Sequence, residues 1–323
     1  MKEIDVLLPF HVENSHLYAA IDSVLSSRNV KIRLILIDDR KEPKSLTNRP
    51  KSSTVVNTFS AGYAGALNSA RGQIDSPYTA IMNSDDLVHP DRFIFQIEKL
   101  EDQDSLLSAC GIQKFKNKKI IASQFGNLSA SGRIDRRVLL LGAYGVDATW
   151  CGKSDWWLTN LEFLDQPMSD WATGIEVSQK YDIYFSSEKL YYYRQHPNQT
   201  TGDSTFSSRG LDEILDKWLS LARQSNFEEL SAKEVAWVAA PRGRKPLDKI
   251  SVKRTLEWLK EYDLATNGIY TDLISRRLLL LLTSYPMVRT EFSNILHAAN
   301  AAKSLGVEKL LNLTNLRKLG TYA

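Results

Sequence analysis

The segment YTAIMNSDDLVHPDRFIFQIEKL, residues 78–100, decides how the chain is read. Tyr78 to Met82 is a short apolar run, the mark of a buried strand. It stops at four polar residues, Asn83-Ser84-Asp85-Asp86. Pro90 then opens a helix through Leu100, with Phe93, Ile97 and Leu100 at helical spacing. Strand, acidic turn and helix in succession are the repeating unit of an α/β sheet.

The same alternation runs upstream. Ile4 to Leu8 ends at Pro9 and reads as a strand, and Leu17 to Leu25 carries Leu17, Ile21, Val24 and Leu25 on one helical face. Ile32 to Ile37 is a strand that stops at Asp38-Asp39, Ser53 to Phe59 is a third, and Ala64 to Arg71 is permissive for helix. The first ~110 residues therefore predict an α/β domain with a mostly parallel sheet. Phe10-His11, Asp38-Asp39 and Asn83 to Asp86 fall at the C-terminal ends of three strands, the edge where open α/β sheets bind ligands.

Further along, Ile112 to Phe115 and Lys119 to Ala122 read as strands, Arg133 to Leu141 as a helix, and Tyr181 to Phe185 and Leu190 to Arg194 as two further strands. Residues 150 to 171 are aromatic, with Trp150, Trp156, Trp157, Phe163 and Trp171. From about Gly210 helical periodicity takes over. Residues 211–323 hold 17 Lys and Arg against 13 Asp and Glu, a net +4.

Composition narrows the function. With 323 residues, a count of ~150 per domain gives two domains. A hydrophobic share of 43% with 24% charged residues rules out wholesale disorder and a membrane-embedded channel. A net charge of only +3 speaks against a nucleic-acid partner. Two cysteines, Cys110 and Cys151, cannot frame a disulfide scaffold, which fits a reducing cytoplasm. No signal peptide is readable at the N-terminus. The cluster Leu278 to Leu282 is far short of the ~20 apolar residues of a membrane span.

Five motifs, in order, resemble the family-2 glycosyltransferases of GT-A fold over the first 205 or so residues. They are VLLPFHVENSHLYAAIDSVLSS (Val6 to Ser27), LILIDDR (Leu34 to Arg40), AGYAGALNSARG (Ala61 to Gly72), IMNSDDLVHPDR (Ile81 to Arg92) and YYYRQHPNQTT (Tyr191 to Thr201). The resemblance implies a catalytic domain over 1–208 and a helical C-terminal domain over 209–323. It further implies an inverting, metal-dependent enzyme of bacterial surface-polysaccharide (capsule or O-antigen) type. Such an enzyme moves a hexosyl or N-acetylhexosaminyl unit from a UDP-sugar to a hydroxyl of a glycan or lipid-linked saccharide.

Site residues follow from the resemblance. Asp85 falls where the family binds its Mn²⁺ or Mg²⁺, hard cations that prefer oxygen. His196 completes the metal site or touches the diphosphate. Asp38 and Asp39 read the uracil and ribose, with Pro9, Phe10, His11, Glu13, Asn68, Asn83 and Ser84 as further nucleotide contacts. The motif places the catalytic base at Asp170, 26 residues before His196, with Asp155 as its rival. A positioned carboxylate suits proton removal from an acceptor hydroxyl. Asp147, Trp150, Asp155 and Trp171 are expected beside the donor or acceptor sugar. Three departures stand out: Asn83 replaces an acid, Arg40 a small residue, and Leu67 an arginine for which Arg71 is the candidate substitute.

For each residue a structural role competes. Asn, Ser and Asp also cap helices, and for any one tryptophan the core is the safer assignment. Two other functions stay open. A nucleotidyltransferase also joins an α/β fold to acidic metal ligands, but LLPFHVENS lacks a Gly-rich phosphate loop. A catalytically inactive sugar-nucleotide-binding scaffold would explain Asn83 and Leu67. The basic helical region predicts peripheral contact with the inner face of the cell membrane, or a homodimer.

Overall fold

The computed structural model describes residues 1–60, 62–117, 119–124, 132–133, 147–163, 169–197, 254–255 and 257–258, with the side chains at 122–124, 169–171 and 179 excepted. The chain divides into two compact units, Met1–Asp135 with Ala143–Gly202, and Arg136–Gly142 with Asp203–Ala323. Nearly all described residues belong to the first. The expected boundary at 208/209 and the helical region beyond it lie outside the described residues, apart from 254–255 and 257–258.

The first unit opens with strand β1 (Lys2–Phe10), helix α1 (Ser15–Leu25), β2 (Val30–Asp38), β3 (Ser53–Asn57), α2 (Tyr63–Ser69) and β4 (Tyr78–Ile81). The two-residue β5 (Leu87–Val88) and helix α3 (Arg92–Asp102) follow, then β6 (Leu107–Lys116), β7 (Lys119–Gln124) and β8 (Gly132–Arg133). Last come β9 (Cys151–Lys153), α4 (Ser154–Asn160), α5 (Ser169–Lys180) and β10 (Ile183–Arg194).

These strands form one sheet in the order β3-β2-β1-β4-β9-β6-β10-β5, with β7 paired to β6 and β8 to β10. β1 is parallel to both β2 and β4, β2 to β3, and β6 to β10. β1 is buried from Ile4 to Phe10, as a strand covered on both faces must be. α1 begins at Asn14, whose side chain accepts from the amides of His16 and Leu17 at 2.9 and 3.0 Å. Its Leu17, Ala20, Ile21 and Val24 face the core. α3 buries Phe93, Ile97 and Leu100 as its spacing predicts, and Arg92 and Gln96 with them. Gly65 lets α2 lie against its own loop, because a Cβ there would come within 2.3 Å of the Ser60 carbonyl oxygen.

The sheet is more mixed than the alternation predicts. The three-residue β9 wedges between β4 and β6, antiparallel to both. Tyr181 to Arg194 is one strand from Ile183, with its register to β6 shifting between Ser186 and Tyr191. Arg133, expected to open a helix, lies in β8, and residues 134–141 are outside the described residues.

Candidate active site

Strand direction sorts the expected residues by edge. β1, β2 and β4 run parallel, so Phe10, Asp38 and the Asn83–Asp86 turn share their exit edge. β10 is parallel to β6, and its Tyr191 and Tyr192 pair with Val88 and Leu87. The segment ending in His196 therefore lands beside the acidic turn.

Here two acids meet different surroundings. Asp85 is half-buried, and one of its oxygens lies 2.9 Å from Nε2 of His196. Its carbonyl accepts from Nε of Arg194 at 2.7 Å. Asp86 is fully buried. It accepts from the Tyr191 hydroxyl and the Arg194 amide, each at 2.7 Å. Burial, reinforced by the neighbouring Asp85 charge, pushes the Asp86 carboxyl up to about 8 against these hydrogen bonds. The Asn83 side chain accepts from the Tyr63 hydroxyl at 3.2 Å. Ser84 is half-buried in the same turn. The His16 ring lies 5.3 Å from that of His196. Burial, then Arg194 and His196, lower the pKa of His16.

Among the described residues no three His, Cys, Asp or Glu side chains group as a metal site. The Asp85–His196 pair can offer a divalent ion at most two protein ligands. Mg²⁺ is commonly held this way, by one or two carboxylates with the rest of its shell from phosphates and water, and an imidazole suits Mn²⁺. The residues fit such an ion if a diphosphate completes its shell.

The ends of β1 and β2 differ from expectation. Arg40 grips Asp38 through Nε at 2.8 Å and Nη2 at 2.7 Å, and Glu13 through Nη1 at 3.0 Å. It also donates to the Lys44 carbonyl. Its guanidinium sits 5.3 Å from the centre of the Phe10 ring. Glu13 in addition accepts from the Tyr18 hydroxyl and the Thr47 amide. These bonds, with Arg40, draw its carboxyl down to about 2. Asp39 accepts from the Thr58 hydroxyl and the Gly62 amide, both at 3.1 Å, and so ties down the loop ahead of α2. Pro9 is buried beside Ile37, and His11 is exposed at the rim.

Several residues expected to contact ligand have structural partners within the fold. Asn68 donates to the Phe163 carbonyl at 2.9 Å and accepts from its amide at 3.1 Å, bolting α2 to the chain after α4. Arg71 donates to the carbonyls of Leu158 and Leu161, a structural use in place of a phosphate contact. Trp150, Trp156 and Trp157 are buried core residues, so Trp150 presents no face to a sugar. Asp155 is exposed, but on the wrong edge. β9 runs against β4, pairing Lys153 with Tyr78, and the Ser154 amide bonds the Pro77 carbonyl. Residues 77 and 83 are separated by six residues of extended chain, roughly 20 Å.

Asp147 opens a 3-10 turn ahead of β9 on the binding edge, where it is buried and accepts from the Ala148 amide at 2.7 Å. The fully buried Arg92 holds this turn by donating to the carbonyls of Ala148 and Trp150 at 2.9 and 3.4 Å. α5 packs near the same turn and leads into β10 at the opposite edge. Its 12 residues, about 18 Å of helix, bring its first turn with Asp170 and Trp171 back toward the binding edge. The side chains of Asp170 and Trp171 are not among those described. Sequence reading missed Arg40 as a clamp, and also His16, Asp86, Tyr191 and Arg194. All five lie inside the quoted motifs, so their one signal was their place beside the expected residues.

An open α/β sheet with an acidic exit edge and a histidine returning to it is a GT-A-like arrangement. Residues 5–137 match the family described as glycosyl transferase family 2. The bifunctional glycosyltransferase pgtA of Dictyostelium discoideum is 29% identical over 143 residues, 36% of this chain. The aligned stretch spans only 18% of that relative. TarS 1-349 of S. aureus in complex with UDP-GlcNAc superposes with a TM-score of 0.59 at 11% identity, covering 91% of this chain and 92% of its own. The mannosyltransferase PcManGT from Pyrobaculum calidifontis, in complex with GDP-Man and Mn²⁺, gives 0.51 at 12% identity over 93% and 86%. At such identities the likeness is one of fold.

Proposed function

We propose that the chain is an inverting, metal-dependent glycosyltransferase that moves a sugar from a UDP-sugar to a hydroxyl of a glycan or lipid-linked saccharide. The observation that carries this reading is the Asp85–His196 pair, 2.9 Å apart on the exit edge of the sheet. Solved structures of the same fold hold UDP-GlcNAc in one case and GDP-Man with Mn²⁺ in another, which supports a nucleotide-sugar donor and a divalent ion. Bound there, Mn²⁺ or Mg²⁺ would neutralise charge on the departing diphosphate.

The chain's own residues divide the remaining work. Asp85 and His196 hold the ion, and Asn83 and Ser84 line the turn beside the diphosphate. Pro9, Phe10, His11 and Asp39 border the nucleoside. Asp147 lies next to the donor sugar. Asp170, with Trp171 beside it, takes the proton from the acceptor hydroxyl as that oxygen attacks the anomeric carbon opposite the departing diphosphate. Attack on that face inverts the centre. Residues 1–208 form the catalytic domain. Residues 209–323 are its helical partner, contacting the acceptor, a second copy or an anionic membrane surface on the cytoplasmic side. No helix among the described residues is long and apolar enough to cross a membrane.

The test is release of UDP from a panel of UDP-sugars with Mn²⁺. Turnover that EDTA abolishes is expected. Pyrophosphate release from a nucleoside triphosphate would identify a nucleotidyltransferase, and binding without turnover an inactive scaffold.

A further inference from the structure

Arg40 stands among three of the residues expected to meet the donor nucleoside. Asp38 is 2% exposed, and its two oxygens take Nε and Nη2 of Arg40 at 2.8 and 2.7 Å. The Arg40 amide adds a third bond to Asp38, at 3.1 Å. Glu13 takes Nη1 at 3.0 Å. Lys44 contributes a carbonyl, and the Phe10 ring lies under the guanidinium at 5.3 Å. Four of the five N–H groups of a guanidinium are thereby bonded, and the Arg40 side chain is only 14% exposed.

This is a built-in fork and not a loose side chain lying over a pocket. Pulling it out would leave a buried carboxylate without its cation, a strongly unfavourable state. A neutral base offering a single N–H could not repay that loss. Arg40 therefore stays when a nucleotide binds, and Asp38 is spoken for.

The consequence is chemical. A free carboxylate at this edge accepts from the N3–H of uracil and repels the bare N3 acceptor of cytosine. The two bases have nearly the same shape, so that polarity is the main difference such a site can read. With its oxygens turned to Arg40, Asp38 no longer makes the distinction, while the remaining Nη1 hydrogen can meet the ring carbonyl that both bases share. Resting on the functional reading above, we infer that Arg40 sets nucleobase selection at the donor site by silencing Asp38. With Arg40 in place the site takes uridine and cytidine diphosphates alike.

Calorimetric titration of UDP and CDP in the presence of Mn²⁺ tests this on the full chain. The wild type should bind both, with dissociation constants within about threefold. Arg40→Ala frees the carboxylate and should raise the preference for UDP about tenfold, the scale of one mispaired buried polar group. Adding Asp38→Asn to Arg40→Ala should return the ratio to the wild-type range. If Arg40→Ala does not fold, Asp38→Asn alone decides, because a silent carboxylate can be replaced without moving the ratio, whatever happens to overall affinity. A wild type that rejects CDP tenfold or more, or an Asp38→Asn whose ratio shifts by that much, overturns the inference and leaves the transferase reading standing. A chain that binds neither diphosphate overturns the transferase reading and the inference with it.

Discussion

Arg92→Met tests whether a buried cation holds the binding edge together. Arg92 is fully buried, and among the described residues no carboxylate lies within ion-pair distance of it. Its Nε bonds the Gln96 side chain at 2.9 Å, and Nη2 bonds the carbonyls of Ala148 and Trp150. Its faces lie 5.0 and 5.1 Å from the rings of Phe93 and Tyr191. Methionine fills much of the volume but donates nothing. The Trp150 carbonyl keeps a second donor, the Ile81 amide at 3.2 Å. The Ala148 carbonyl and the Gln96 oxygen are left bare, at roughly 1–3 kcal/mol each. Losing two cation–π contacts adds about 1–2 kcal/mol. Against this, removing an unpaired buried charge returns several kcal/mol of desolvation. The balance we expect is about 3 kcal/mol of destabilisation, which for a unit of this size is a fall in Tm of about 6–12 °C. Scanning calorimetry reads it directly. Because the 147–150 turn is loosened, turnover should drop at least tenfold while UDP binding survives. A variant melting at or above the wild type would refute the reasoning, since the cation would then be a net burden and the turn would not depend on it.

Asp85→Ala and EDTA should each abolish transfer, while His196→Ala weakens Mn²⁺-dependent UDP binding by less; full activity in EDTA ends the metal assignment. Asp170→Asn should lose ~10²–10⁴ in turnover with donor affinity kept, while Asp155→Asn, on the opposite edge, stays near wild type; the reverse result would show that the motif was matched to the wrong aspartate. Glu13, drawn down to about 2, contributes stability above its unfolded pKa of about 4.3 that is lost as pH falls toward 2. Melting curves should therefore show Glu13→Gln losing less Tm than wild type between pH 6 and pH 3, and equal losses would dismiss that contribution.

What the sequence could reveal was set by how local each signal is. The ends of β1, β2 and β4 were readable because an apolar run stopping at polar residues is a matter of a few positions, and α3 because its face repeats within eleven residues. The place of Asp155 was not readable, for the opposite reason. KSDWW resembles SDW as a string, but which edge it reaches depends on β9 reversing against β4, and three residues of Cys-Gly-Lys carry no period from which to read a strand. The burial of Trp150 was likewise beyond a local signal, since an aromatic run looks alike whether it lines a site or fills a core. Arg40 failed differently. Its position beside Asp38 was plain, yet its second partner, Glu13, stands 27 residues away and meets it only because β1 and β2 pair in register from Lys2–Val30 to Phe10–Asp38. The departure from the family pattern was legible, but its chemistry was not. A small residue after the acids would leave Asp38 free, whereas an arginine there binds it in a fork, and only the register decides that Glu13 is close enough to lock the fork in place.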